Sequence, residues 1–291
     1  MFAAMSSIAW PGGARCAAAV TFDVDSDSIL HLDHPSDSHR RVGSQSWLRY
    51  DEVAVPAILE MYERLGLRQT FFVPGWCIDH YPHLASAVVE GGHELAAHGY
   101  MHELAHRLRP EQELELMQRA IDAVVRVSGE RPRGWRGPLY SFSDRTADLL
   151  ASEAFAYDSS LMAHHLPYRV RTDSGTFLEL PSDWANDDWP QYAVALDFDW
   201  LMPVRAPDRA FETFEAEFEA AYAGGWAWIG VWHPFVSGRP ARLARVERFL
   251  TSLLERSDVW VARLDEIARH LAGLAEAGEW NPTEITLPYQ A

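Results

Sequence analysis

Short apolar runs alternate with longer amphipathic stretches along almost the whole chain, and this alternation limits the folds open to it. Short continuous apolar runs favour buried strands, whereas apolar residues spaced three and four apart favour helices. The strands predicted on this basis cover residues 17–22, 69–73, 93–97, 133–136, 155–158, 177–180, 226–232 and 259–264. The predicted helices cover residues 51–65, 81–90, 110–128, 143–154, 207–223, 241–255 and 265–275.

Roughly seven strands that alternate with helices are typical of an α/β barrel. We therefore predict a single-domain, distorted (β/α)7-type barrel over residues 1–291, a length that such barrels commonly reach. A doubly wound open sheet is the alternative fold. The chain carries no glycine-rich dinucleotide fingerprint, which would have favoured that alternative.

Two long stretches, 26–50 and 161–177, show no clear helix or strand pattern. Both follow predicted strands. Because the loops after the strands of a barrel build its active site, we expect both stretches to form walls or lids of a pocket.

The formal net charge of −17 restricts the partners of the protein. Binding to nucleic acid needs clustered Lys and Arg, and an anionic membrane surface would repel such a chain, so neither is an expected partner. The 12 Trp residues fall largely in the second half of the chain. Clustered aromatic side chains can line a pocket for flat or sugar-like ligands, and they can equally serve as core packing.

The two cysteines, Cys16 and Cys77, form no CxxC motif, so neither a disulfide framework nor a cysteine metal site is expected. The first twenty residues lack a charged region followed by a long apolar run, and no apolar stretch is long enough to cross a membrane. On this basis we predict a cytoplasmic location.

Polar side chains follow three of the predicted strands. Asp23 and Asp25 come directly after the first strand, and on an extended chain they point to the same side. One of them can bind a metal while the other acts as a base. The alternative is a pair of solvated loop acids.

Histidines follow the third strand and the strand 226–232. His98 and His102 enter a helix-like stretch, where residues four apart would meet on one face and bind one ion. His233 is placed where a general acid could act, although a structural histidine is the other interpretation. Asp25, His98 and His102 would leave coordination positions open for water or substrate, as a catalytic metal site requires. Such a donor set suits Zn²⁺, with Co²⁺, Ni²⁺ or Mn²⁺ as alternatives.

In these residues the chain resembles the polysaccharide deacetylase family, the NodB-homology or carbohydrate esterase 4 type. Four motifs in order carry the resemblance across residues 15–270. They are the strand end Thr21-Phe22-Asp23-Val24-Asp25, the pair in His98-Gly99-Tyr100-Met101-His102, the triplet Arg136-Gly137-Pro138 and the apolar strand that ends in His233-Pro234.

The resemblance implies a role for each motif residue. Asp23 would be the catalytic base and Arg136 would orient it, while Asp25, His98 and His102 would bind the metal. The backbone N–H of Leu139 would help to hold the oxyanion. His233 would protonate the leaving nitrogen, and Asp158 would be the acid that tunes this histidine.

The segment 184–189 is predicted to bind substrate on the metal side of the barrel, although an oligomer contact or a surface loop is the alternative. Its side chains proposed to bind substrate are Trp184, Asn186, Asp187, Asp188 and Trp189.

The D-x-D form of the first motif and segments such as HGYMHE and HPFVSGRP resemble the cytoplasmic-type branch of this family. That branch includes peptidoglycan deacetylase-like, allantoinase-like and cyclic imide hydrolase members. The resemblance implies a homo-oligomer, a dimer or a tetramer.

Two substrates stay open, namely an N-acetylated amino sugar and a small cyclic imide or ureide. An inactive member that serves as a binding module, and an α/β sugar-binding protein with incidental histidines, are further alternatives.

Overall fold

A computed structural model describes residues 8–289, so the first seven and last two residues of the predicted domain lie outside it. The fold is mixed α/β around a mostly parallel sheet. Its strands are β1 (Cys16–Asp23), β2 (Thr70–Val73), β3 (Glu94–Ala97), β4 (Gly134–Trp135), β5 (Tyr157–Asp158), β6 (Tyr168–Thr172), β7 (Gly175–Glu179), β8 (Val194–Ala195), β9 (Trp200–Leu201), β10 (Ala227–Trp232), β11 (Val259–Val261) and β12 (Glu284–Thr286).

Strand β1 is the centre of this sheet. All eight of its residues are buried, and it pairs in parallel with β10, β2 and β11. The strands in the order β10-β1-β2-β3-β4-β5-β7 are parallel throughout. Strand β6 forms an antiparallel hairpin with β7, and β12 pairs in parallel with β6, so β6 and β12 both run against the other strands. A parallel bridge between Asp187 and Val231 joins the chain after β7 to β10. The sheet therefore returns on itself, and the predicted α/β barrel class is confirmed.

Helices connect the parallel strands. They are α1 (Ser28–Asp33), α2 (Val42–Leu48), α3 (Asp51–Leu65), α4 (Gly75–His80), α5 (Pro82–Glu90), α6 (Pro110–Ser128), α7 (Thr146–Ser152), α8 (Trp189–Tyr192), α9 (Pro207–Gly224), α10 (Pro234–Ser237), α11 (Pro240–Leu254) and α12 (Leu264–Glu276). The bounds predicted for α3 and α6 are confirmed. Both helices end at a glycine in the left-handed conformation, Gly66 and Gly129, because glycine adopts this conformation without a Cβ clash.

Two predictions about local structure are wrong. The stretch 26–50 contains α1, α2 and a 3₁₀ turn, which the buried side chains of Leu30 and Leu48 fix against the barrel. The stretch 161–177 contains β6 and the start of β7, and their hairpin buries Tyr168 and Val170. Each of these elements is too short for a periodic apolar pattern to stand out.

The strands place the polar motifs at one end of the barrel. Strands β1, β3, β4 and β10 are parallel along their sheet, so their carboxyl ends meet at the same rim. Cys16 and Cys77 are both buried and free. Among residues 8–289, no helix is long and apolar enough to span a membrane.

Candidate active site

The carboxyl ends of four strands bring the predicted ionisable residues together. Asp23 ends β1 and Asp25 follows it, while His98 follows β3, Arg136 follows β4 and His233 follows β10. All five side chains are buried, and all but Arg136 line a single pocket.

Asp25 is the centre of a three-residue group that could hold a metal ion. Its Oδ1 lies 3.4 Å from His98 Nε2, and its Oδ2 lies 3.4 Å from His102 Nε2. Two ligands bound tetrahedrally at about 2.1 Å would stand about 3.4 Å apart. Oδ1 is buried, and no described residue donates a hydrogen bond to it. The donor atoms and their spacing therefore fit a divalent cation such as Zn²⁺.

Each histidine is oriented by a different part of the chain. The Nδ1–H of His98 donates to the carbonyl of Arg136 at 2.7 Å, so its Nε2 faces Asp25. His102 has a left-handed backbone with φ of 68°, and residues 98–104 form no helix. The two imidazoles do meet, with ring centroids 5.2 Å apart, but a turn brings them together and the helical explanation is wrong.

The three imidazoles around Asp25 control its ionisation. Burial opposes the charged form, but His102, together with His98 and His233, outweighs burial and holds the pKa of Asp25 well below its usual value. The imidazoles themselves respond in opposite ways. Burial lowers the pKa of His98, whereas Asp25 raises the pKa of His102 against the effect of burial.

Arg136 fixes Asp23. Its Nη1 donates to Asp23 Oδ1 at 2.6 Å and to the hydroxyl of Thr21 at 2.8 Å. Its Nε and Nη2 donate to the carbonyl and hydroxyl of Ser159, and its guanidinium lies 4.0 Å from the ring centroid of Phe72. The side chain of Arg136 is fully buried, so this charge pair is shielded from solvent.

Asp188 is the acid that contacts His233. The Nδ1–H of His233 donates to Asp188 Oδ1 at 2.7 Å, and the backbone N–H of His233 donates to Asp188 Oδ2 at 3.0 Å. The hydroxyl of Ser237 also donates to Asp188. Burial disfavours the imidazolium, but Asp188 outweighs it and raises the pKa of His233 well above its usual value. The ring therefore presents Nε2 to the pocket, 3.5 Å from Asp25 Oδ2.

The prediction that Asp158 tunes His233 is corrected by these contacts. Asp158 accepts hydrogen bonds from the N–H and hydroxyl of Ser160 and lies against Glu179. Among the described residues, no hydrogen bond or ion pair joins Asp158 to His233. Asp158 belongs to β5, on the far side of Arg136, whereas Asp188 lies beside the end of β10.

The predicted substrate-binding residues divide into two groups. Leu139, Trp184, Asp187 and Trp189 line the pocket. Asn186 does not, because its side-chain oxygen accepts a hydrogen bond from the indole of Trp228 on the outer side of the sheet. Asp188 does not line the pocket either, because its fully buried carboxylate accepts from His233 and Ser237. The structure therefore places Asn186 and Asp188 outside the predicted substrate-binding wall, and only the other three predicted side chains of the segment 184–189 line it.

Sequence reasoning missed several residues of the pocket wall. They are Ile29, Gly137, Tyr140, Trp200 and Phe235. Tyr140 donates to Asp187 at 2.5 Å, and burial, opposed by His233 and assisted by Asp188, raises the pKa of Asp187 to about 7. Phe235 and Gly137 lie next to the motif residues around His233 and Arg136. Their positions in the sequence could therefore have predicted that they line the pocket.

Known proteins are similar to this chain over most of their length. A structure from Mycobacterium smegmatis assigned to the polysaccharide deacetylases is 36% identical, with a TM-score of 0.90 over 98% of this chain and 99% of that one. The PuuE allantoinase structure is 26% identical, with a TM-score of 0.79 over 95% of this chain and 96% of that one. The peptidoglycan deacetylase of Helicobacter pylori is 27% identical over 246 residues, which are 75% of this chain and 83% of the relative.

The fold and the site define an α/β barrel protein in which a carboxylate and two imidazoles meet at the carboxyl ends of the strands. The family model for polysaccharide deacetylases matches residues 41–157, which include His98, His102 and Arg136. With 36% identity to a member over nearly the whole chain, this protein belongs to the polysaccharide deacetylase family. The resemblance carried by the four sequence motifs is confirmed.

Proposed function

We propose that this protein is a metal-dependent hydrolase that removes the acyl group from an N-acylated amino sugar. One observation carries the proposal. Three residues that could hold a metal ion (Asp25, His98 and His102) share one pocket with a carboxylate that accepts from Arg136 and with an imidazole that donates to Asp188. Hydrolysis of an amide needs these three elements, namely an electrophile, a base and an acid.

Asp25, His98 and His102 would hold the divalent ion. When bound there, such an ion would polarise the acyl carbonyl and favour negative charge on its oxygen. The orphaned Oδ1 of Asp25 and the two facing Nε2 atoms support this choice of ligands.

Asp23 would take a proton from the attacking water. Its Oδ1 is occupied by Arg136, which leaves Oδ2 to accept the proton at the pocket side. As the water oxygen bonds to the acyl carbon, the carbonyl oxygen gains charge, and the backbone N–H of Leu139 would donate to it.

His233 would complete the reaction. The carbon–nitrogen bond breaks as His233 Nε2–H protonates the leaving nitrogen, and the products are a carboxylate and a free amine. Asp188 favours the imidazolium form that this step needs, because its carboxylate accepts from Nδ1–H.

Opening of a cyclic imide or ureide is a second candidate, favoured by a specific observation. The pocket wall is largely aromatic and aliphatic, and the PuuE allantoinase shares the fold over nearly its whole length. Trp184, Trp189 and Trp200 would contact the faces of a small flat ring. The same base and acid would serve this reaction, so the choice between the two depends on the substrate.

A substrate panel separates these functions. Protein loaded with Zn²⁺ is incubated with N-acetylglucosamine, with its oligomers, and with succinimide and allantoin, and the released acetate or newly formed carboxylate is measured. Acetate release that disappears in His98→Ala supports the deacetylase. Ring opening without acetate release favours the second candidate. If no substrate is turned over but a sugar still binds, a binding module is favoured.

A further inference from the structure

Two separate parts of the chain cover the pocket. One is the cover segment, residues 26–50, and the other is the hairpin formed by β8 and β9, residues 194–201. Ile29 of the cover segment and Trp200 of the hairpin both line the pocket that holds the ionisable residues. Access to the site therefore depends on how these two parts are held together.

Asp197, in the turn of the hairpin, makes the polar contacts between them. Its carboxylate accepts hydrogen bonds from the guanidinium of Arg41 and from the hydroxyl of Ser44. Its carbonyl oxygen lies 3.0 Å from His34 Nε2. The three partners all belong to the cover segment, so this single residue joins the two parts.

Little else holds the hairpin on its outer side. It is a separate two-stranded sheet, a unit that is marginally stable by itself in water. The side chains of Leu196 and Leu201 are 75% and 70% exposed. On the inner side, Trp200 packs edge to face on Trp189, with ring centroids 5.2 Å apart. The ring of Phe198 also lies 6.1 Å from that of His34 in the cover segment, and Ala195 is buried. Loss of the Asp197 contacts would therefore remove the polar contacts of the hairpin and leave these apolar contacts to keep it closed.

The closed hairpin is connected to the proposed acid through Trp189. Trp189, which Trp200 covers, lies 5.5 Å from the imidazole of His233 between ring centroids. Because Trp200 lines the pocket, we expect a polymer that passes through the site to displace the hairpin, whereas a single sugar unit would not.

We infer that Asp197 is a specificity-determining residue, which holds the β8–β9 hairpin to the cover segment and restricts the site to small N-acyl substrates. This inference rests on the proposed function for its substrate class. With the hairpin closed, a single acylated sugar is accepted and the interior of a sugar polymer is excluded. Displacement of the hairpin admits the polymer.

Limited proteolysis tests the closure itself and does not depend on any activity. Chymotrypsin cleaves after aromatic residues and leucine, and the hairpin offers such sites at 196, 198, 200 and 201. In Asp197→Asn we expect cleavage within 194–201, mapped by mass spectrometry, to be about tenfold faster, as expected for loss of charge-assisted hydrogen bonds. The matched control Asp199→Asn makes the same chemical change at an exposed residue of the same turn and should cleave at the wild-type rate.

A second variant establishes whether the two parts act together. Arg41→Gln should increase hairpin cleavage in the same way, and the double variant should be no more susceptible than Asp197→Asn alone, because both changes remove one shared contact. Additive effects of the two changes, or wild-type cleavage in Asp197→Asn, would overturn the closure.

Substrate selection is then measured with N-acetylglucosamine and its five-unit oligomer. We expect the ratio of kcat/KM for the oligomer over the monomer to rise at least about tenfold in Asp197→Asn and to stay unchanged in Asp199→Asn. An unchanged ratio in a variant whose hairpin is demonstrably opened would refute the role in specificity. If the wild-type protein hydrolyses neither sugar, the proposed function fails, and the proteolysis result still decides whether Asp197 holds the hairpin.

Discussion

His93 provides a quantitative test of the energetics of this fold, away from the candidate metal site. Its imidazole is only 8% exposed and packs against the rings of Phe71 and Tyr62, at 5.2 and 5.4 Å between centroids. Its Nδ1 accepts a hydrogen bond from the backbone N–H of Gln69 at 3.0 Å, which requires that Nδ1 carries no proton. Burial, assisted by the charge of Arg68, lowers the pKa of His93 from 6.5 to about 4.

This pKa difference sets both the direction and the size of the effect on stability. Well above pH 6.5 the imidazole is neutral in both the folded and the unfolded state, so burial of His93 does not reduce the free energy of unfolding through its ionisation. As the pH falls from 6.5 towards 4, the unfolded chain binds a proton that the folded protein does not, and the free energy of unfolding decreases. At about 1.4 kcal/mol per pH unit, the loss contributed by His93 between pH 7.5 and 4.5 is about 2.5 kcal/mol.

Urea unfolding between pH 4.5 and 7.5, followed by circular dichroism with EDTA present throughout, measures this contribution. His93→Asn keeps an acceptor oxygen for the N–H of Gln69 but removes the titrating group. The acid-induced loss of stability should therefore be about 2.5 kcal/mol smaller than in the wild type, whatever the constant cost of the smaller side chain. His83→Asn, at an exposed histidine, should keep the wild-type dependence. Equal losses in His93→Asn and the wild type would refute the reasoning.

Three further predictions concern the proposed chemistry. His98→Ala should abolish bound divalent metal, measured by elemental analysis, while the circular dichroism spectrum stays that of a folded protein; retained metal would remove His98 from the ligand set. Asp23→Asn should keep the metal but lower kcat at least about a hundredfold, the usual contribution of a general base, and near-normal turnover would exclude Asp23 as that base. His233→Ala should lose most turnover on an unactivated amide and much less on an aryl ester, whose leaving group needs little protonation. Equal losses on both substrates would instead mean that His233 binds substrate or supports the structure.

The parts of the fold that the sequence predicted well are those with long or uniform patterns. Strand β1 is an uninterrupted buried run, and α6 has a periodic apolar face with proline at its start and glycine at its end. The missed helices α1 and α2 have six and seven residues, too few for periodicity to be visible. The missed β6–β7 hairpin had one usable signal, the turn Asp173-Ser174 followed by Gly175 at the start of β7.

The residues of the candidate site also divide into those that local sequence patterns predicted and those that they did not. Asp25, His98 and His233 each directly follow a buried strand, and parallel strands bring their carboxyl ends to one rim, so local patterns were sufficient. Local patterns could not predict the carboxylate that contacts His233. Asp188 is 45 residues distant from it in the chain, and only the pairing of residue 187 with β10 makes them neighbours. Asp158 resembled a tuning acid by its order in the chain, but strand order places it beside β4 and β7.

A homo-oligomeric state and a cytoplasmic location stay predictions from the sequence. The same holds for a single domain that includes the first seven residues. Each is testable on the purified or tagged protein, by light scattering, by fractionation and by truncation.

The segment that follows β7 pairs with β10, and this pairing affects how the protein can change over evolution. Asp188 donates its backbone N–H to the carbonyl of Val231 at 3.1 Å, and its carboxylate accepts from both His233 and Ser237. Residues that serve catalysis often reduce stability, so replacing them commonly makes an enzyme more stable at the expense of its activity. At Asp188 the two demands coincide, because the carboxylate that contacts the proposed acid also accepts the backbone N–H of His233 and so ties residue 188 to the end of β10. A lineage that lost the reaction would still be selected to keep this aspartate, and its presence in a relative is therefore a poor indicator that the relative is active.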